Sequence, residues 1–191
     1  MINKTMFSFI IEDLKVPLSY LPMGTIIGAL LLMILILLNT MWHLIKKEIL
    51  ISVSQAIYIV IFTAYMFTIL ELSYFSRITG SRNSVSLIFL ETWGNSIQSK
   101  AYVIENVLMM VPFGILLPII LKSARNALCC VPLGFMFSTC LEYAQFYSQR
   151  GHMQVDDIVM NTIGTVVGFI VYSLYKFSYK ILIEGKNKKS I

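Results

Sequence analysis

Charge is what this chain has least of. Only 13% of its 191 residues are Asp, Glu, Lys or Arg, while 57% are hydrophobic; a soluble domain carries about 25% charged residues. Mean hydropathy is +0.77. That composition is too apolar to clothe a soluble surface, and it points to a membrane protein. Cysteine is sparse as well. Cys129, Cys130 and Cys140 all fall in one apolar segment, with no C-x-x-C and no zinc-ligand spacing, so they read as small packing residues. No Ser/His/Asp or Cys/His set is evident, and His152 stands alone beside Gly151, as a solvated loop histidine would. The net charge of +5 comes without a basic stripe interleaved with aromatics, which excludes nucleic-acid binding. There is no internal repeat of the kind that marks a transporter.

Long hydrophobic runs are what the chain does have. Val16–Trp42 and Ile49–Leu70 run 27 and 22 residues without a charge, and each can cross a hydrocarbon core of about 30 Å. The first is too long for a signal-peptide core, and no A-x-A site follows it, so it reads as a retained membrane helix. Asn106–Leu121, Asn126–Leu141 and Ile158–Tyr175 are shorter, at 16, 16 and 18 residues. Sixteen residues rise only about 24 Å, so these helices must recruit flanking polar residues into the span. The expected architecture is all-α: a polytopic bundle of about five transmembrane helices at 18–43, 49–71, 104–122, 126–147 and 157–179, forming one membrane domain over 1–191.

Orientation follows from where Lys and Arg fall. With the N-terminus outside, nine of them lie inside (Lys46, Lys47, Lys122, Arg125, Lys176, Lys180, Lys186, Lys188, Lys189) against six outside (Lys4, Lys15, Arg77, Arg82, Lys100, Arg150). Residues 180–191 then form a basic cytoplasmic tail. The longest connection, 73–103, lies outside. Its SRITGSRNS opening is turn-prone and its SLIFLETWGN has too few apolar residues to span, so it is expected to be re-entrant or to lie on the outer interface.

This topology gathers polar side chains at one end. Glu105 and Asn106 open the third helix. Glu142, Gln145 and Gln149 share a face near the end of the fourth. On the fifth, Asp157, Asn161, Gly164 and Gly168 stand at i, i+4, i+7 and i+11. Ionisable groups in a span normally face the bundle interior and are paired. Arg150, the sole arginine between the fourth and fifth helices, is a candidate partner for Asp156, Asp157 or Glu142. Asp156 and Asp157 also stand where a helix N-terminus welcomes a carboxylate, so one of them needs no further reason. Gly164-x-x-x-Gly168 invites close approach of another helix. Pro112 and Pro118 favour kinks in the third helix, and Gly114 admits a neighbour.

The ordered set ENVLMMVPFG, then Glu142-x-x-Gln145, then Arg150, then DDIVMNTIGTVVG resembles the VanZ-like family of bacterial membrane proteins, whose founding member is associated with teicoplanin resistance. The resemblance is carried by residues 104–172 and implies a family core of about 50–179. It aligns Asn106, Pro112 and Gly114 with the family's N-x-x-x-x-x-P-x-G, Glu142 and Gln145 with its E-x-x-Q, and Arg150 with its arginine. Asp156 and Asp157 match its acidic pair, and Asn161, Gly164 and Gly168 its N-x-x-G-x-x-x-G. One element departs: where the family often carries N-L-x-P-F in the long loop, this chain has SLIFL, with Ser86 and Phe89 at the Asn and Pro positions.

The resemblance implies a multi-pass protein of the bacterial plasma membrane that lowers susceptibility to glycopeptide or lipoglycopeptide antibiotics. An outward pocket of Glu105, Asn106, Glu142, Gln145, Arg150, Asp156, Asp157 and Asn161 suits a lipid headgroup or a lipid-linked cell-wall precursor, with Arg150 holding a phosphate. Membrane lipids and such a precursor, or the lipoglycopeptide itself, are the expected partners. No metal and no cofactor are expected. An intramembrane enzyme is the alternative, with Glu142 as general acid or base and Asp156, Asp157 and Glu105 around Mg²⁺ or Ca²⁺. A third reading is a polar network that only locks helices together.

Overall fold

A computed structural model describes residues 5–48, 51–80, 84–91, 93, 94 and 96–189, the last six of these, 184–189, as backbone alone. Lys4 and Arg82, and the side chains of Lys186, Lys188 and Lys189, which entered the charge count above, lie outside the described residues. The described chain is helical apart from one two-residue strand pair. The helices are α1 (Met6–Asp13), α2 (Lys15–Lys46), α3 (Val53–Leu70), α4 (Ile97–Ile120), α5 (Ala127–Tyr147) and α6 (Val155–Lys189). Five stretches are long and apolar enough to cross a membrane: Met6–Lys46, Val53–Phe75, Ile97–Ile120, Ala127–Tyr147 and Val155–Ile183.

Local signals set several helix starts. Ser52 and Gln55 cap α3 reciprocally: the Gln55 N–H donates to Ser52 Oγ at 3.4 Å, and the Ser52 N–H donates to Gln55 Oε1 at 3.1 Å. Ser96 accepts the Ser99 N–H at 3.0 Å at the start of α4. Asn126 accepts the Leu128 N–H at 3.0 Å at the start of α5. The Ser96 cap corrects the sequence expectation for this helix. It begins at Ile97 and not near 104, because SIQSK is polar but helical, and hydropathy does not register a polar first turn. α6 likewise continues past 179 to Lys189.

α4 and α6 pack most extensively, followed by α2 on α3 and α5 on α6. At its three glycines the α4–α6 seam brings backbone against backbone. A Cβ on Gly164 would collide with the Val107 carbonyl, one on Gly168 with the Val111 carbonyl, and one on Gly114 with the Thr165 carbonyl. The two backbones touch, and only glycine allows that. A second small-residue seam, which the sequence reading did not single out, joins α2 to α3. There a Cβ on Gly24 would come within 2.8 Å of the Ala64 carbonyl oxygen and one on Gly28 within 2.9 Å of Val60 Cγ1.

The apolar core lies where α3, α4 and α5 meet, around Ile69, Met110, Phe113 and Leu141. Phe113 stacks on Phe137 with ring centroids 5.6 Å apart. Pro112 deprives Leu108 of its helical donor. The carbonyl beside it, that of Met109, accepts the Tyr65 hydroxyl at 2.7 Å, which ties α3 to α4. The remaining faces of α2, α3 and α6 expose long rows of Leu, Ile, Val and Met, as lipid-facing helices do.

Candidate functional site

The bundle has two unlike ends. One carries Lys46, Lys47, Lys122, Arg125, Lys176 and Lys180. The other carries eight of the ten acidic residues, lacking only Glu48 and Glu184. At this acidic end α3 finishes, α4 and α6 begin and α5 finishes. α3 closes on a π-helical turn, Glu71–Phe75, a wide turn common at functional positions.

Most of the polar side chains here have a defined partner. Glu142, 2% exposed, accepts the Gln154 backbone N–H at 3.0 Å. Gln145, equally buried, donates from Nε2 to the Ser73 carbonyl at 2.9 Å, reaching from α5 into the π turn. Asp156 accepts the Leu90 N–H at 2.6 Å. Asp157 accepts from Asn106 Nδ2, also at 2.6 Å, which joins α6 to α4. One turn deeper, Asn161 donates to Ser138 Oγ at 2.9 Å, while its Oδ1 is buried without a hydrogen-bond partner. Glu105 points elsewhere. Its charged neighbour is Asp13 of α1, and its Oε1 is buried and unpartnered.

Arg150 corrects the sequence reading. It meets no carboxylate among the described residues. Its Nη1 donates to the carbonyls of Tyr74 at 3.2 Å and Phe75 at 3.3 Å, and its guanidinium lies 4.9 Å from the Tyr74 ring centroid. The cause is local. α5 ends at Tyr147, and Gln149 follows in the left-handed conformation, φ 57. That turn takes Gln149 off the Glu142–Gln145 face and swings Arg150 toward the end of α3, where the last helical carbonyls need donors.

The arginine that does face the acids is Arg77. It lies within electrostatic reach of both Glu142 and Asp157. Its Nη1 and Gln145 Oε1 would stand 2.8 and 3.2 Å from a Cβ on Gly151, so Gly151 leaves room for the guanidinium. Sequence reasoning passed over Arg77 because it sits in a turn-prone polar stretch. A lone Arg after a span, with Gly151 opposite, is too weak a signal to separate it from a surface residue.

The described residues between the π turn and α4 fold back over this cluster as a strap. β1 (Val85–Ser86) pairs in parallel with β2 (Met153–Gln154), the Met153 N–H donates to the Ser84 carbonyl at 3.0 Å, and the Gly80 N–H donates to the Gln149 carbonyl at 2.9 Å. Ser86 bonds Glu91, and His152 Nδ1 bonds Ser84 Oγ, so His152 is tied into the connection. Between this strap and residues 152–154 lies a groove of about 320 Å³, lined by Ser84, Ser86, Glu91, His152 and Gln154 among others. Among the described residues no three His, Cys, Asp or Glu side chains gather as a metal site requires. Asp156, Asp157 and Glu105, proposed above as an alternative Mg²⁺ or Ca²⁺ cradle, are directed to Leu90, Asn106 and Asp13 respectively.

No curated protein and no solved structure matches this chain significantly. The family model described as VanZ/LLP1 matches residues 26–176, from within α2 to the basic end of α6, and this chain therefore belongs to the VanZ/LLP1 family of membrane proteins.

Proposed function

We propose that the acidic end of the bundle faces outward and receives the polar head of a lipid or lipid-linked cell-wall precursor, and that the protein thereby lowers susceptibility to glycopeptide antibiotics. The observation that carries this reading is the groove under the strap. Beside the aliphatic Val85, Leu87 and Ile88 it is lined by hydroxyls, a carboxylate, an imidazole and an amide, groups that suit the hydroxyl, amide and amine donors of such a headgroup. Its floor residue, Gln154, is also the residue whose backbone Glu142 holds, so the groove and the buried cluster share one element. The excess of Lys and Arg at the opposite end supports the outward orientation.

A specific observation favours the alternative reading, a helix lock: Glu142, Gln145, Asp156 and Asp157 each already have a partner within the protein. Glu142→Gln separates the two. Glutamine keeps an acceptor for the Gln154 N–H but loses the charge. The experiment expresses wild type and E142Q in a susceptible Gram-positive host and measures teicoplanin susceptibility, with membrane level and melting temperature as controls. Lost protection at unchanged level and melting supports the site. Protection that falls only in step with melting supports the lock, and no effect of well-expressed wild type on susceptibility removes the resistance role.

A further inference from the structure

The opposite end of the bundle holds a second concavity, unconnected with the acidic cluster. A groove of about 540 Å³ opens between α6 and the short 3₁₀ turn Lys122–Arg125 that joins α4 to α5. Its mouth is cationic, with Arg125 from the turn and Lys176 and Lys180 one helical turn apart on α6. Its walls are aromatic and aliphatic, including Tyr172 and Phe177, and Ser173 adds a hydroxyl. Among the described residues no Asp or Glu lines it; the side chain of Glu184 lies outside them.

Arg125 is held in place. α4 ends at Ile120, two residues after Pro118, so the Pro118 carbonyl loses the donor that a continuing helix would supply. Arg125 Nε takes that role at 3.3 Å. The bond anchors the guanidinium base against the helix end, so this arginine is not merely snorkelling toward water as an unconstrained side chain would. Its Nη groups are left to make a fork to an oxyanion. Ser173 Oγ donates to the Phe169 carbonyl at 2.8 Å, so its proton is committed to the helix and the cations are the donors to an anion. The groove lies along the C-terminal part of the apolar stretch Val155–Ile183, where α6 becomes rich in lysine.

We propose that this groove binds an anionic glycerophospholipid, with the phosphodiester held between Arg125 and Lys176 and the first part of an acyl chain along Tyr172 and Phe177. Charge complementarity selects an anionic lipid over a zwitterionic one, and the aromatic wall selects a lipid over a free phosphate.

The test is native mass spectrometry of the full chain in detergent, titrated with phosphatidylglycerol or phosphatidylcholine, alongside melting with each lipid and with inorganic phosphate. Phosphatidylglycerol adducts are expected to persist at activation energies that strip phosphatidylcholine, and phosphatidylglycerol to raise the melting temperature. Arg125→Gln with Lys176→Gln should weaken phosphatidylglycerol retention about tenfold or more. Lys46→Gln with Lys47→Gln removes the same charge from the same end but outside the groove, and should leave retention unchanged. Equal retention of the two lipids, an equal loss in the Lys46/Lys47 variant, or the same stabilisation by phosphate alone would each overturn the proposal.

Discussion

Gly168→Ala tests the arrangement on which the rest of the molecule depends. A Cβ at this position would overlap the Val111 carbonyl and come within 2.9 Å of Gly114 Cα and 3.0 Å of the Val111 carbonyl carbon. Ordinary carbon contacts are about 3.5–4.0 Å, so α4 and α6 must part by about 1 Å at this level. Overpacking of that kind costs about 1–3 kcal/mol. The separation is also felt further along the pair. Asn106 and Asp157 bridge the same two helices at 2.6 Å, and moving them apart by about 1 Å takes the pair out of hydrogen-bond range. Within a membrane-protein bundle such a bond contributes about 0.6 kcal/mol on average. Together the change costs about 2–4 kcal/mol, which for a chain of this size lowers the melting temperature by about 5–15 °C.

The assay is thermal unfolding of purified protein in mild detergent, with Asn106→Ala and the double variant completing a cycle. If the alanine acts by parting the helices, it has already broken the Asn106–Asp157 bond, and Asn106→Ala costs less in its background than alone. Gly80→Ala is the control. Gly80 has φ +80 with open space around it, so an alanine there strains one loop residue and leaves the seam intact. A Gly168→Ala melt within a degree or two of wild type would refute the backbone-contact argument. Strictly additive losses in the cycle would refute the coupling to the polar end.

Three further outcomes follow from the same contacts. Ser138→Ala leaves Asn161 Nδ2 without its partner beside an Oδ1 that already has none, and should cost about 1–3 kcal/mol by melting, whereas Ser138→Ala combined with Asn161→Leu should recover most of that stability. Gly151→Ala crowds Arg77 and Gln145, so amide exchange at 77–80 and at Gln154 should quicken while the melting temperature moves little. Arg150→Lys keeps the charge but loses the flat guanidinium over Tyr74, and exchange at 76–80 should quicken there too, since an ammonium supplies donors but no plane to lie over the ring.

The five spans were legible because each apolar run is bounded by charges or turn residues, and that pattern needs no tertiary information. The convergence of Glu142, Gln145, Asp157 and Asn161 was also within reach, because helical spacing puts them on faces and antiparallel connectivity puts those faces at one end. Partners were not. Arg150 had three carboxylates nearby in sequence, yet a single left-handed residue, Gln149, sends it to carbonyls 75 residues away. Arg77 was hidden for the converse reason: nothing local marks it, and its relation to Glu142 and Asp157 exists only because the strap folds back. The Gly24–Gly28 seam was missed because a long hydrophobic run looks the same whether its glycines face a helix or lipid.

The strap makes clear why those misses fall where they do. Apart from the Ser84–His152 side-chain pair, its anchors use a backbone group on at least one side: the N–H of Leu90, Gly80 and Met153, and the carbonyls of Ser73, Tyr74 and Phe75. Backbone groups are indifferent to the residue that carries them, so Gln145, Arg150 and Asp156 hold the path of the strap without calling for particular strap side chains. That concentrates the demand for particular side chains on α5, the turn after it and the start of α6. On this view Asp156 holds the strap directly through the Leu90 N–H, and Glu142 holds it at one remove through Gln154, whose strand pairs with β1.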